Sequence, residues 1–282
     1  MTMMRPMEND EMNRASYLLS RLNLAIKDPR KASKFLSVKA FGSSLSPFRH
    51  SEFRRFIVLT RSRTGSNLLV SFLNSHSHIY TESEIFSWLA GRDHRDVLSK
   101  TFDKQPFFIK AKGFKLFYYH PQDDDSGALW QDLVAMQDLY IIHLKRKNIL
   151  RTLVSRKIAG MADVWTARTS SELRTQGKRS VTFTTEELRE GFLQTRAWET
   201  RGDEMFREHP MVHVYYEDMI DSPYHTFAQI TDFLGVRYQK PGTTLKKQNP
   251  ESLRNLVANY DELKASFQGT QWATFFEDQA SE

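Results

Sequence analysis

The stretch FIVLTRSRTGSNLL, residues 56–69, carries the reading of the fold. Phe56, Ile57, Val58 and Leu59 form a short apolar run, the pattern of a strand buried on both faces. Residues 60–65 read as a tight turn, and Leu68, Leu69, Phe72 and Leu73 then recur at helical spacing. Strand, turn and helix in that order bring free backbone N–H groups and the positive end of a helix dipole to the turn. The turn is rich in groups that bind anions. Arg61 and Arg63 supply charge, Thr64, Ser66 and Asn67 supply donors, and Gly65 lets the backbone approach an anion closely. This is the composition of a phosphate cradle. It is not a Walker A loop, because G-x-x-x-x-G-K-[ST] is absent and no Lys follows Gly65. A kinase or ATPase reading, such as a P-loop small-molecule kinase, is weakened accordingly.

Outward from this loop, short apolar runs alternate with helical patterns. Residues 107–110 (FFIK), 139–144 (LYIIHL) and 212–216 (VHVYY) are strand candidates. Thr184 and Glu187 form a capping box, with Phe183 and Leu188 spaced as a hydrophobic staple. Ser222-Pro223 reads as a helix start and Gly235 as its stop. A further helix is expected after Asn249-Pro250, with Leu253, Leu256, Val257, Tyr260 and Leu263 on one face. The pattern predicts an α/β protein: one P-loop-like domain with a central, mostly parallel sheet flanked by helices. Residues 11–26 place Met12, Ala15, Leu18, Leu19, Leu22 and Ile26 at the spacing of an amphipathic helix, and residues 27–50 read as a connector. The expected division is therefore an N-terminal helical arm over 1–50 and an α/β domain over 51–282.

Composition narrows the function classes. The chain has 282 residues, 40% hydrophobic and 26% charged, which suits a globular core. With no Cys, a disulfide framework, thiolate metal sites and a catalytic Cys are excluded. No apolar run approaches the ~20 residues that span a bilayer, and the N-terminus lacks a secretory h-region, so a cytoplasmic protein is the default. The net charge is +6, and residues 1–60 carry all of it, with 11 Lys/Arg against 5 Asp/Glu; the remainder holds 29 of each. A basic excess confined to one arm, with no helix-turn-helix, RRM or zinc signature, argues against a nucleic-acid partner. It leaves the arm as a candidate contact for homo-oligomer formation or for an anionic acceptor surface.

The TRSRTGSNLL loop at residues 60–69 resembles the 5′-phosphosulfate loop of sulfotransferases that use 3′-phosphoadenosine-5′-phosphosulfate (PAPS), and most of all their bacterial carbohydrate-type branch. Arg63, Thr64, Gly65 and Ser66 match residue for residue; Ser62 stands where Pro is common and Asn67 where Thr is common. Residues 140–155 (YIIHLKRKNILRTLVS) resemble the family's 3′-phosphate segment, a strand ending in Arg followed by a helix carrying Ser. The family's Arg-to-Ser spacing of eight counts back from Ser155 to Lys147. Arg146, one residue earlier, has the planar fork that suits phosphate and is favoured. Residues 214–219 (VYYEDM) with 233–236 (FLGV), the GFKLFYYH segment at 113–120, and Lys246-Lys247 before the last helix are softer matches. In the family, a Tyr of the first of these lies near the adenine, and the last closes over the nucleotide.

The resemblance implies transfer of a sulfuryl group from PAPS to a hydroxyl of a carbohydrate, glycolipid or small-molecule acceptor, with PAP as product. A natural-product amine or a peptide tyrosine is the alternative acceptor. It implies nucleotide contacts from Arg61, Arg63, Thr64, Gly65, Ser66, Asn67, Arg146, Ser155 and Lys247. Arg63 is expected to stabilise the leaving oxygen, and Glu84 to act as general base. Glu82 competes for that role, since on an extended segment both carboxylates point the same way. Lys115 and His120 are candidate acceptor contacts, and Trp88, Tyr118, Tyr119 and Trp165 are candidate pocket aromatics. His76 and His78 lack an obvious third ligand, and the chemistry needs no metal.

Overall fold

The computed structural model describes residues 49–162, 180–243, 245 and 251–277. Most of the basic arm, including the helix expected over 11–26, lies outside these residues, as do Trp165, Lys246 and Lys247.

Strand β2 (Arg54–Thr60) is the centre of a five-stranded sheet. Its partners are β3 (Ile79–Glu82), β5 (Ala111–Phe117), β6 (Leu139–Lys145) and β7 (Met211–Tyr215), in the order β3-β5-β2-β6-β7. Every pairing in it is parallel, so the mostly parallel α/β sheet expected from sequence is present. A separate two-stranded antiparallel ribbon joins β1 (Arg49–His50) to β4 (Gln105–Pro106).

Alternation along β2 sets the layers. Phe56 and Val58 face one side, where they meet Leu69, Phe72 and Leu73 of α1 (Ser66–Ser75) and Phe227 and Ile230 of α7 (Pro223–Phe233). Ile57 and Leu59 face the other. There they meet Leu98 of α2 (His94–Thr101), Leu129 and Leu133 of α3 (Ala128–Ala135), and Phe206 after α5 (Thr185–Met205). A third cluster joins Val154 and Ile158 of α4 (Ile149–Ala162) to Leu188 and Phe192 of α5 and to the C-terminal segment. Between β7 and α7 runs α6 (Tyr216–Asp221); α8 (Leu253–Leu256), α9 (Tyr260–Ser266) and a 3-10 turn (Ala273–Phe276) close the described chain.

Several boundaries shift from expectation. The strand expected at 107–110 lies later, at β5. That strand carries two lysines, so its apolar signal is weak, yet all seven of its residues are buried. Gly113 sits in it because a Cβ there would fall 2.3 Å from the Phe56 carbonyl oxygen. The single helix expected through Leu253 and Leu263 is two short ones, interrupted where Val257 bridges to Val181. The capping box at Thr184 forms in full, and Phe183 and Leu188 are buried in one cluster. Ser222 precedes Pro223 at the start of α7, although its side chain makes no capping bond, and Gly235 follows its end with φ 63°. Among the described residues, no helix is long and apolar enough to cross a membrane.

Candidate active site

The loop between β2 and α1 is held from below. Thr60 Oγ1 donates to the Leu144 carbonyl of β6 at 2.7 Å and lies 2.6 Å from Thr64 Oγ1. Thr64 Oγ1 in turn meets the Arg61 carbonyl at 2.7 Å, closing the turn on itself. Both threonines are buried, so the small polar residues read as anion donors serve at least as turn fasteners. Leu68 and Leu69 donate to the Gly65 carbonyl, which leaves the Ser66 and Asn67 amides ahead of the first intrahelical acceptor.

Gly65 has φ 86°, in the left-handed region, and a Cβ there would fall 2.2 Å from Cδ2 of Tyr216. The close approach that glycine permits here is thus by the Tyr216 ring. Arg63 also has a positive φ, 69°, a strained conformation for a side-chain-bearing residue at the turn.

Arg63, Arg146 and Ser155 come together although they lie on three elements. Arg63 Nε donates to Ser155 Oγ at 3.0 Å, and an Arg146 terminal nitrogen donates to the Arg63 carbonyl at 3.1 Å. The Arg146 guanidinium lies 4.5 Å over the Tyr216 ring, and its Nε is 3.8 Å from a Glu217 oxygen with no hydrogen bond of its own. Burial pulls the pKa of both arginines down. Lys147 points elsewhere. Its Nζ pairs with Asp218 at the surface, and its amide donates to Glu217 at 2.9 Å.

Arg61 goes to the other face. Its guanidinium bonds Thr195 of α5 and stacks 5.4 Å from the Trp198 ring, and burial pulls its pKa down to about 10. It stays protonated at neutral pH, and its Nε is buried without a hydrogen bond. Neither Thr195 nor Trp198 was legible as a partner from sequence; their one-turn spacing on α5 is the only local signal.

Beside the loop, a second string crosses the end of the sheet. Lys115, 2% exposed on β5, donates from Nζ to Asn67 Oδ1 at 2.8 Å and pairs with Glu84 at 2.7 Å. Burial lowers the Lys115 pKa, and Glu84 pulls it back up. Glu82 does not share this position. It ends β3 and pairs with Lys112, three residues before Lys115 and so on the opposite face of β5. The expectation that both carboxylates point one way fails because the chain leaves the strand after Glu82 and turns, with Ile85 N–H donating to the Ser83 carbonyl. His120 is buried near this pair. Its Nδ1 accepts from the Phe117 amide at 3.3 Å, and its Nε2 is buried without a partner. Burial pulls its pKa down to about 4, so the ring is neutral at neutral pH.

The aromatics divide. Trp88 is exposed on a loop pinned by Asp123, which accepts from the Leu89 and Ala90 amides. Tyr119 Oη accepts from the Ser62 amide of the phosphate-type loop at 3.3 Å, and Tyr118 Oη turns inward to His143 at 2.7 Å.

No protein-family profile matches the chain. It is similar to Nodulation protein H of Rhizobium tropici, 25% identical over 243 residues, spanning 80% of this chain and 94% of the relative. It is similar also to Nodulation protein H of Rhizobium meliloti strain 1021, 24% identical over 237 residues, spanning 79% and 94%. Among solved structures, it aligns with a sulfotransferase from Alicyclobacillus acidocaldarius at TM-score 0.46 and 16% identity, over 75% of this chain and 90% of that one. A mouse sulfotransferase complexed with PAP aligns at TM-score 0.41 and 14% identity, over 81% and 89%.

Proposed function

We propose that the chain is a sulfotransferase that moves a sulfuryl group from PAPS to a hydroxyl of a carbohydrate, glycolipid or small-molecule acceptor. The observation that carries this reading is the meeting of Arg63, Arg146 and Ser155 beside the α1 N-terminus. Two buried guanidinium groups, the Arg146 one with an Nε that makes no hydrogen bond, together with the Ser155 hydroxyl, suit a phosphate-type anion.

PAPS supplies an activated sulfuryl group whose departure leaves negative charge on the 5′-phosphate of PAP. In this reading Arg63, with the amides of Gly65, Ser66 and Asn67, holds that phosphate and stabilises the charge as it develops. Arg63 acts only as a fixed cation, since an arginine does not give up its proton. Arg146 and Ser155 hold the 3′-phosphate, with Tyr216 packed beneath. Lys247 adds charge to the same ligand. Glu84 takes the acceptor proton as the new O–S bond forms and the bond from sulfur to the phosphate oxygen breaks. Lys115 ties Glu84 to Asn67, so the base is positioned against the loop that holds the leaving group. His120 presents a neutral Nε2 as an acceptor contact.

The test is PAP release from PAPS across a panel of sugar, glycolipid, phenol, amine and tyrosine-peptide acceptors, with ATP and Mg²⁺ as a parallel arm. PAP release stimulated by a hydroxyl acceptor is expected. Turnover of ATP with no release of PAP returns the chain to the small-molecule kinase reading.

A further inference from the structure

On the face of the sheet away from α1, β6 carries a histidine where its neighbours on the same side are apolar. Leu139 and Ile141 pack into the core, and His143, two residues on, is fully buried among them. It does not stand alone. Gly202 of α5 lets the helix lie close, since a Cβ there would sit 3.0 Å from Leu59 Cδ2 and 3.2 Å from His143 Cε1. That approach delivers the next residue, Asp203, onto the imidazole: Asp203 Oδ1 is 2.7 Å from His143 Nδ1. From the edge strand β7, His213 Nε2 reaches the same oxygen at 3.1 Å. The three potential ligand atoms all lie within 4.8 Å of one another.

We propose that His143, Asp203 and His213 form a binding site for a divalent transition-metal ion such as Zn²⁺, ligated by His143 Nδ1, Asp203 Oδ1 and His213 Nε2. Two imidazoles and a carboxylate are the ligand set such ions take, with water in the fourth tetrahedral position. Ideal bonds of about 2.0–2.2 Å separate neighbouring ligand atoms by roughly 3.3 Å, near the 2.7 and 3.1 Å by which Asp203 Oδ1 already stands from the two ring nitrogens. The surroundings favour this use. The Tyr118 hydroxyl lies 2.7 Å from His143 Nε2 and fixes the ring with Nδ1 turned to the site. Lys145 Nζ holds the other carboxylate oxygen at 2.7 Å, which leaves Oδ1 for the ion. The His213 side chain is 44% exposed and that of Asp203 35%, so an ion can enter from the sheet edge. Met211 Sδ lies 3.2 Å from His213 Nε2 as a neutral neighbour. The Lys145 charge opposes the ion and sets the affinity below that of a closed structural site.

The other histidine pair noticed in the sequence is differently placed. His76 Nε2 lies 2.8 Å from the Arg237 carbonyl and His78 Nδ1 2.7 Å from the Phe108 carbonyl, so both rings are engaged with backbone.

The site ties β6, β7 and α5 together, so occupancy is expected to stabilise the fold. Metal-stripped, untagged full chain is titrated with Co²⁺ and followed by its visible ligand-field absorption, with Zn²⁺ as competitor. One equivalent of Co²⁺ should give a tetrahedral-type spectrum that Zn²⁺ abolishes, and Zn²⁺ should raise the melting temperature. His213→Ala, at a half-exposed position, should weaken Co²⁺ binding at least tenfold and remove the Zn²⁺-dependent melting shift, while melting like the parent without metal. His78→Gln should change neither. No spectrum at millimolar Co²⁺, or equal affinity in His213→Ala, overturns the proposal and leaves Asp203 as a plain hydrogen-bond hub for Lys145 and the two histidines.

Discussion

Two polar assemblies meet at the loop after β2, and they are built by different rules. One gathers Arg63, Arg146 and Ser155 around a turn fastened by Thr60 and Thr64. Its parts sit at the ends of two adjacent parallel strands, where a strand–turn–helix sequence repeats a local pattern. The other strings Asn67, Lys115 and Glu84 across the end of the sheet, and none of these is close to another in sequence. The first is a local motif used twice; the second exists only because β5 lies between β2 and β3. In the proposed reaction the first holds the donor and the second holds the base, so substitutions in the two should separate binding of PAP from turnover.

The largest effects are expected at the reacting groups. Arg63→Ala and Glu84→Gln should each lower turnover by ~10²–10⁴-fold, read as PAP release at saturating PAPS. Glu84→Gln should leave PAP affinity within about twofold, and a large loss of PAP binding there would merge the two assemblies into one. Lys115→Met keeps the length of the side chain but frees Glu84 from Asn67. Turnover should fall on the order of 10²-fold, with PAP binding again spared. Arg146→Ala should weaken PAP binding by roughly 10–100-fold, the scale of a charged hydrogen bond, whereas Lys147→Ala, whose side chain pairs with Asp218, should change it less than about twofold. Equal losses from the two would mean that the strand-end cation has been misassigned.

Smaller effects concern stability. Gly65→Ala must place a Cβ against Tyr216 at φ 86° and should cost ~1–3 kcal/mol, read as a lowered melting temperature. An unchanged melting point would show that the ring moves aside freely. His120 is held neutral, its pKa lowered from 6.5 to about 4 by burial. The unfolded chain therefore binds a proton below pH 6.5 that the folded chain refuses, so this contribution to stability is complete above 6.5 and declines toward pH 4. His120→Asn should flatten the fall in melting temperature across that window; an unaltered slope assigns the acid sensitivity elsewhere.

The members of the first assembly could be listed from sequence because they are consecutive or repeat a strand-to-helix junction. Even there, the fold separates two adjacent cations that sequence leaves side by side: Arg146 is buried at the strand end and Lys147 pairs with Asp218 at the surface. The reason for Gly65 was also hidden, because Tyr216 is distant in the chain. The second assembly was less legible. Glu82 competes with Glu84 until the end of β3 is fixed, and Lys115, read as a candidate acceptor contact, is found against Glu84 only once the course of β5 is known. The polar network of Tyr118, His143 and Asp203 had no signal, because each member sits alone in an otherwise apolar or helical pattern.

The central claim is that the loop after β2 and the end of β6 together hold a nucleotide with phosphates at both the 3′ and 5′ positions. Calorimetric titration of the chain with PAP, beside AMP, which lacks the 3′-phosphate, tests it most directly. One equivalent of PAP should bind, at least tenfold more tightly than AMP, with that preference lost in Arg146→Ala. Equal affinity for the two nucleotides, or no binding of PAP, contradicts the account.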